Sequence, residues 1–215
     1  MHYAIIDEEF CNVVPGARRT AYPLKYELIQ IGAVLLDEDY NIVDTFNEYI
    51  KPEYGHIDGF IRNLTGITQF MVSKSETLSV IVEKLKNWIP EDAVMVSWST
   101  SDLHQLKKEI EAKKIENTWI ESKYETWLDC QEMFSMKIQA EKKYNLQEAL
   151  NMSDVVTKGS IHDGFSDAYN TAMLFKKLRL EDSFKTSEKY IKATQMQEKI
   201  TFSLGSLLNR IQIAS

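Results

Sequence analysis

Acidic residues placed at the ends of apolar runs are the first chemistry this sequence offers. Tyr3-Ala-Ile-Ile-Asp-Glu-Glu-Phe10 begins apolar and stops in three acids. On a strand, side chains alternate faces, so Asp7 and Glu9 point one way and Glu8 the other. Two carboxylates on one face repel each other unless something positive lies between them. A divalent metal ion meets that need, and its other ligands can be sought further along. Asp102 is the first acid after a second apolar run, Ala93-Val-Met-Val-Ser-Trp98. Read alone, it is a helix-start acid favoured by the N-terminal dipole. The third place is Gly159-Ser-Ile-His-Asp-Gly-Phe-Ser-Asp167. On a continuous helix His162 and Asp167 would stand about 140° apart. With His162 in a loop ahead of the helix, both reach one cleft. Histidine is also the side chain suited to moving a proton near neutral pH.

The elements that must hold these residues are legible in outline. Residues 3–9 form a first strand, and 11–25 a loop with a Pro-Gly turn. Glu27–Leu36, apolar and β-branched, is the strongest strand, and Ile42–Ile50 alternates as a third. Short turns between the three suggest an antiparallel meander. Leu78, Ile81, Val82, Leu85 and Trp88 recur at helical spacing, so 76–89 is an amphipathic helix ended by Pro90. Ile57–Leu64 makes a short helix, with Thr68 or Ser73 capping the next helical segment. A strand at 93–98, a helix at 102–115, a short strand at 127–129 and helices at 130–140, 146–152 and 163–178 complete the order. That is an α/β fold, a mixed five-stranded sheet flanked by helices. Sites in such sheets gather beyond the carboxyl ends of parallel strands. The expected organisation is one domain over 1–179 and a C-terminal helical extension over 180–215. Phe202, Leu204, Leu207, Leu208 and Ile211 give that extension an apolar face. The face either packs on its own domain or serves a homodimer or protein partner.

Composition narrows the function classes. The chain has 215 residues, 44% of them hydrophobic, and a net charge of −7. This balance argues against general coating of duplex nucleic acid, which takes a basic face. It leaves open an enzyme that grips a strand end through metal ions. No apolar run reaches the roughly 20 residues of a membrane span, and no signal peptide is visible. Cys11 and Cys130 belong to no Cys-x-x-Cys pair and read as reduced, inert thiols in a cytoplasmic protein.

Taken together, Asp7-Glu8-Glu9, then Asp102 after Val96-Ser-Trp98, then His162-Asp-Gly-Phe-Ser-Asp167 resemble the DEDDh 3′–5′ exonucleases. That family carries Asp-x-Glu, Asp and His-x4-Asp in this order. Glu27-Leu-Ile-Gln-Ile-Gly-Ala-Val34, Leu64-Thr-Gly-Ile-Thr68 and Asp167-Ala-Tyr-Asn-Thr-Ala172 look most like its Eri-type RNA exonuclease branch. Each motif is weak alone, whereas the ordered set is specific. Glu8, Gly164 and Tyr169 depart from the commoner pattern, and none of the three is a ligand position.

The resemblance implies a ribonuclease H-like fold. It implies that Asp7, Glu9, Asp102 and Asp167 hold two Mg²⁺ (or Mn²⁺) ions roughly 4 Å apart. His162 would be the general base, and nucleoside 5′-monophosphates would leave a single-stranded 3′ end, RNA ahead of DNA. Phe10 is expected either to stack on the terminal base or to pack in the core. Glu27 is expected at a sugar hydroxyl. Arg18, Arg19 and Lys25 form a basic cluster that either steers phosphate or is simply solvated. Two other classes stay open: a phosphodiesterase of small nucleotides, and a non-catalytic regulatory or partner-binding module on the same fold.

Overall fold

Six strands and eight named helices make up a computed structural model that describes residues 1–16, 22–116 and 118–192. The strands are β1 (His2–Val13), β2 (Tyr26–Leu36), β3 (Ile42–Tyr49), β4 (Gly55–His56), β5 (Ala93–Ser97) and β6 (Leu128–Asp129). The helices are α1 (Gly59–Thr65), α2 (Gln69–Ser73), α3 (Leu78–Trp88), α4 (Thr100–Ala112), α5 (Thr118–Tyr124), α6 (Cys130–Ile138), α7 (Leu146–Met152) and α8 (Gly164–Leu180).

The strand order is β3-β2-β1-β5-β6, with β4 pairing the far end of β1. β1, β2 and β3 form the expected antiparallel meander, while β5 lies parallel to β1 and β6 parallel to β5. The sheet is therefore mixed, five strands on one path with a two-residue sixth.

Alternation along β1 builds two separate cores. Ala4 and Ile6 face α3, α4 and α5, where Ile81, Leu85, Leu106 and Ile120 are buried with them. Tyr3 and Ile5 face the other way, where Phe134, Leu150 and Phe175 close the second core under α6, α7 and α8. Asp7 and Glu9 continue the second row and Glu8 the first. A third, smaller core joins Cys11 and Ile29 to Ile57, Ile61, Ile67 and Val72 of the α1–α2 segment.

Local chemistry sets the helix ends. Thr68 caps α2, its hydroxyl accepting from the Met71 N–H, and Asp129 caps α6 through the Glu132 N–H. Asn145 and Glu148 form a capping box at α7. Gly66 ends α1 at φ 74°, a left-handed position that costs glycine little.

β1 runs four residues past the expected end at residue 9, because Phe10, Cys11, Asn12 and Val13 keep pairing across β2 and β4. β4 and α5 were not foreseen. A strand of two residues and a helix of seven are too short to leave a period.

One contact between elements is made by backbone alone. Helix α8 lies across β1 and β2, and a Cβ added at Gly32 would overlap the backbone of Gly164 and Phe165. Gly32→Ala is expected to cost about 3 kcal/mol, the upper range for overpacking a rigid contact. For a chain of this size that is a fall of roughly 6–12 °C in melting temperature, measurable by calorimetry.

Beyond α8 the chain stays on the domain as far as it is described. The Ser187 N–H donates to the Met152 carbonyl at 2.7 Å, and the Phe184 ring meets Phe134 at 5.8 Å. Phe202 to Ile211, expected to form a packing or partner face, lie outside the described residues, as do Arg18 and Arg19.

Candidate active site

Because β5 is parallel to β1, their carboxyl ends open at the same edge of the sheet. Asp7 and Glu9 leave β1 there. Ser99 caps α4 by accepting from the Ser101 N–H, and this turn sets Asp102 in the first turn of the helix. Asp102 is buried beside them. The third contribution comes from the start of α8, seated on Gly32.

That seating is clamped by Gln30, which lies opposite Glu9 in the β1–β2 register. The buried Gln30 amide accepts from the Gly164 N–H at 3.0 Å and donates to Asp163 Oδ1 at 3.0 Å and Asn47 Oδ1 at 2.9 Å. Asp163 in turn caps α8, accepting from the Ser166 N–H and hydroxyl. Neither Gln30 nor this role of Asp163 was singled out as functional from the sequence. A glutamine inside an otherwise apolar strand, pointing toward a buried face, was the available signal.

His162 adopts a left-handed φ of 61° just ahead of the helix. Its backbone N–H donates to Asp167 Oδ2 at 2.9 Å, tying the loop to the acid. Ligand atoms of Glu9, His162 and Asp167 all lie within 4.8 Å of one another. Asp7 and Asp102 stand around this trio, close enough to act on it electrostatically.

The protonation behaviour reflects that crowding. Burial pushes the Asp7 carboxyl well above its usual range, and Asp102, Asp167 and Glu9 add repulsion. Burial, then Asp167 and Asp102, raise Glu9 to about 8. Burial raises Asp102 to about 7, partly offset by backbone hydrogen bonds at Asp102 and Glu8. Asp167 is also raised by burial, with the His162 N–H pulling the other way. One oxygen of Asp167, Oδ1, is buried with no hydrogen-bond partner among the described residues. Four mutually repelling carboxylates, one with an orphaned oxygen, and an exposed imidazole are an oxygen-rich donor set that fits a hard divalent cation.

The other two expected contact residues are not brought to this cluster. Phe10 faces away from Asp7 and Glu9 and packs against the α3–α5 core. Glu27 is wholly buried and fully engaged, which corrects the sugar-hydroxyl expectation. Its carboxylate accepts from the N–H groups of Glu53, Tyr54 and Gly55 at 2.6–2.8 Å and pairs with Lys113 at 2.7 Å.

Glu8 is the cluster's uncompensated neighbour. Both its oxygens are buried without a partner among the described residues. Burial first, then Asp102, Glu109 and Asp7, raise its pKa well above normal. Such a group weakens the fold once the pH exceeds the usual glutamate range, because only the unfolded chain then ionises freely. Glu8→Leu is expected to add about 1–3 kcal/mol at neutral pH. The gain should shrink as the pH is lowered toward about 4. Melting curves of both proteins across pH check this, and a constant or negative difference would count against it.

A family model described as Exonuclease, of the RNase T type, matches residues 5–175. The chain belongs to this exonuclease family. Residues of the chain are 31% identical over 160 positions to a DNA polymerase III PolC-type from Mycoplasmopsis pulmonis, covering 74% of this chain and 10% of that protein. They are 35% identical over 66 positions to human 3′-5′ exoribonuclease 1, covering 30% of this chain and 19% of the relative. ERI1 exoribonuclease 2 from Danio rerio is 26% identical over 176 positions, 71% of this chain and 31% of that one. The chain thus spans from about a tenth to a third of these relatives' lengths.

Among solved structures, cell-death related nuclease 4 superposes with a TM-score of 0.68 at 20% identity, over 83% of this chain and 63% of that one. The nuclease domain of 3′hExo, a DEDDh family member bound to rAMP, gives 0.67 at 20% identity, over 87% and 96%. The fold of this family member is the DEDDh, ribonuclease H-like one, related to the ERI1-type RNA exonucleases among others. It carries a candidate metal-binding cluster suited to a hydrolytic nuclease.

Proposed function

We propose that this protein is a metal-dependent 3′–5′ exonuclease that removes nucleoside 5′-monophosphates from single-stranded ends, RNA ahead of DNA. The observation that carries the reading is the convergence of Asp7, Glu9, Asp102 and Asp167 with His162 at one edge of the sheet. Asp7, Glu9, Asp102 and Asp167 would hold two Mg²⁺ or Mn²⁺ ions. Bound ions supply Lewis acidity, favouring ionisation of the attacking water and stabilising charge on the leaving 3′ oxygen. His162, exposed on its loop, takes the proton of that water. Asp167 fixes the loop carrying His162 through the 2.9 Å backbone bond, so the base and a ligand are set by one contact. The preference for RNA rests on the exoribonuclease names among the relatives. Two buried free thiols and the lack of any membrane-length apolar helix among the described residues fit a cytoplasmic setting.

A single digest tests the reading: 5′-labelled single-stranded RNA and DNA with Mg²⁺, Mn²⁺ or chelator. A ladder shortening from the 3′ end, abolished by chelator, is the expected result. Internal cuts, or chelator-resistant turnover, would refute it.

A further inference from the structure

Asp102 reaches the acid cluster from a turn, and a turn needs something to hold it. β5 ends at Ser97, α4 begins at Thr100, and only Trp98 and Ser99 lie between. Ser97 is wholly buried. Its hydroxyl donates to the Ser99 carbonyl at 2.5 Å and accepts from the Trp127 indole N–H at 2.9 Å. The hydroxyl is thus used both as donor and as acceptor. Ser99 then caps α4, its side chain accepting from the Ser101 N–H. Asp102 follows in the first turn, where the backbone N–H groups of Asp102 and Glu8 donate to its carboxylate.

Packing alone does not account for the indole. Trp127 sits just before β6 and joins the core under α3, α4 and α5. A phenylalanine would supply a ring there too. The indole nitrogens of Trp98 and Trp119 are buried with no partner among the described residues, so this fold does not pair every indole it buries. Trp127 is paired, and its acceptor is the hydroxyl that holds the Ser99 carbonyl. The other side of the turn is tethered as well, the Gln131 N–H donating to the Trp98 carbonyl at 2.7 Å. Both tethers come from the short stretch that contains β6.

We propose that Trp127 and Ser97 are positioning residues for the acid cluster. A continuous chain of hydrogen bonds, from the Trp127 indole through the Ser97 hydroxyl to the Ser99 carbonyl, fixes the turn that delivers Asp102 to Asp7 and Glu9. Neither residue meets the reacting atoms, and both act through Asp102. Groups placed behind a metal-ligating side chain set its orientation, and losing one costs about 10–100-fold in metal affinity. The inference rests on the metal-dependent reading and deepens it, naming what holds one of the proposed ligands in place.

The test is Mn²⁺ binding by the full chain without substrate, read from the electron paramagnetic resonance signal of the free ion. Trp127→Phe keeps a ring and removes the N–H, and Ser97→Ala removes the hydroxyl. Each is expected to weaken Mn²⁺ binding about tenfold. The double variant should lose no more than the worse single one, because both changes break the same chain of bonds. Ile81→Val, a loss of volume in the same core, is the control for lowered stability and should leave Mn²⁺ affinity unchanged. Losses that multiply in the double variant, an unchanged affinity in either single variant, or an equal loss in Ile81→Val would overturn the proposal. A parent protein that binds no Mn²⁺ refutes the metal-dependent reading instead. Amide hydrogen exchange of the metal-free proteins then decides the positioning role. Faster exchange at residues 99–102 in both variants, but not in Ile81→Val, supports it, and unchanged protection overturns it.

Discussion

Mg²⁺ or Mn²⁺ should raise the melting temperature by about 5–10 °C at a hundredfold excess over Kd, and by more near pH 8 than near pH 5.5. The sign follows from the raised acids. Asp102 at about 7 and Glu9 at about 8 hold protons in the folded state that the unfolded chain has released. Their stabilising protonation is complete below the ordinary carboxylate range, about pH 4. It is lost as the pH climbs through those folded values. Metal-free protein should therefore weaken between about pH 5 and 8, the window in which bound cations take over the role of the protons. At the lower pH a cation must displace protons to bind, so it adds less. Thermal melts over this range with metal or chelator measure the effect. Equal shifts at both pH values, or none, would sink the metal assignment.

Asp7→Asn should move activity and stability in opposite directions. Asp7 is repelled by Asp102, Asp167 and Glu9 together, and its burial adds to the cost of its charge. An amide of the same shape removes that charge, so the metal-free variant should gain about 1–3 kcal/mol at neutral pH. The same change takes away the carboxylate best placed to face all its partners, and turnover should drop on the order of 10³-fold or more. The metal-induced rise in melting temperature should shrink with it. A variant that melts higher, binds cations poorly and hardly turns over would have one cause for all three. An active Asp7→Asn protein would place the chemistry elsewhere.

The pieces of this site were legible to unequal degrees. β2, α3 and α8 could be read closely because each carries a long apolar pattern, and the acid positions stood out against such runs. What the pattern missed depends on one irregularity. Glu9 pairs with Gln30 but Phe10 pairs with Leu28, so Ile29 is an extra residue in β2. This bulge frees the Leu28 N–H, which donates to the buried carboxylate of Glu109 at 2.9 Å. Nothing local in the sequence announces such a slip. Glu27 was misread for a related reason. Its partner Lys113 lies 86 positions away on the chain, beyond the reach of any local motif. Gln30 shows the converse, a residue inside a recognised segment whose duty becomes visible only when α8 arrives.

The glycine seat of α8 has a consequence for how this protein can change over time. Asp167 and Asp7 keep their separation because one backbone rests on another at Gly32 and Gly164. The volumes of Phe134, Leu150 and Phe175 enter that distance only indirectly. Drift in the neighbouring core should therefore alter stability well before it alters the spacing of the acids. The geometry of the acid cluster and the composition of the core are free to vary on separate schedules, with Gly32 as the position where the two are joined.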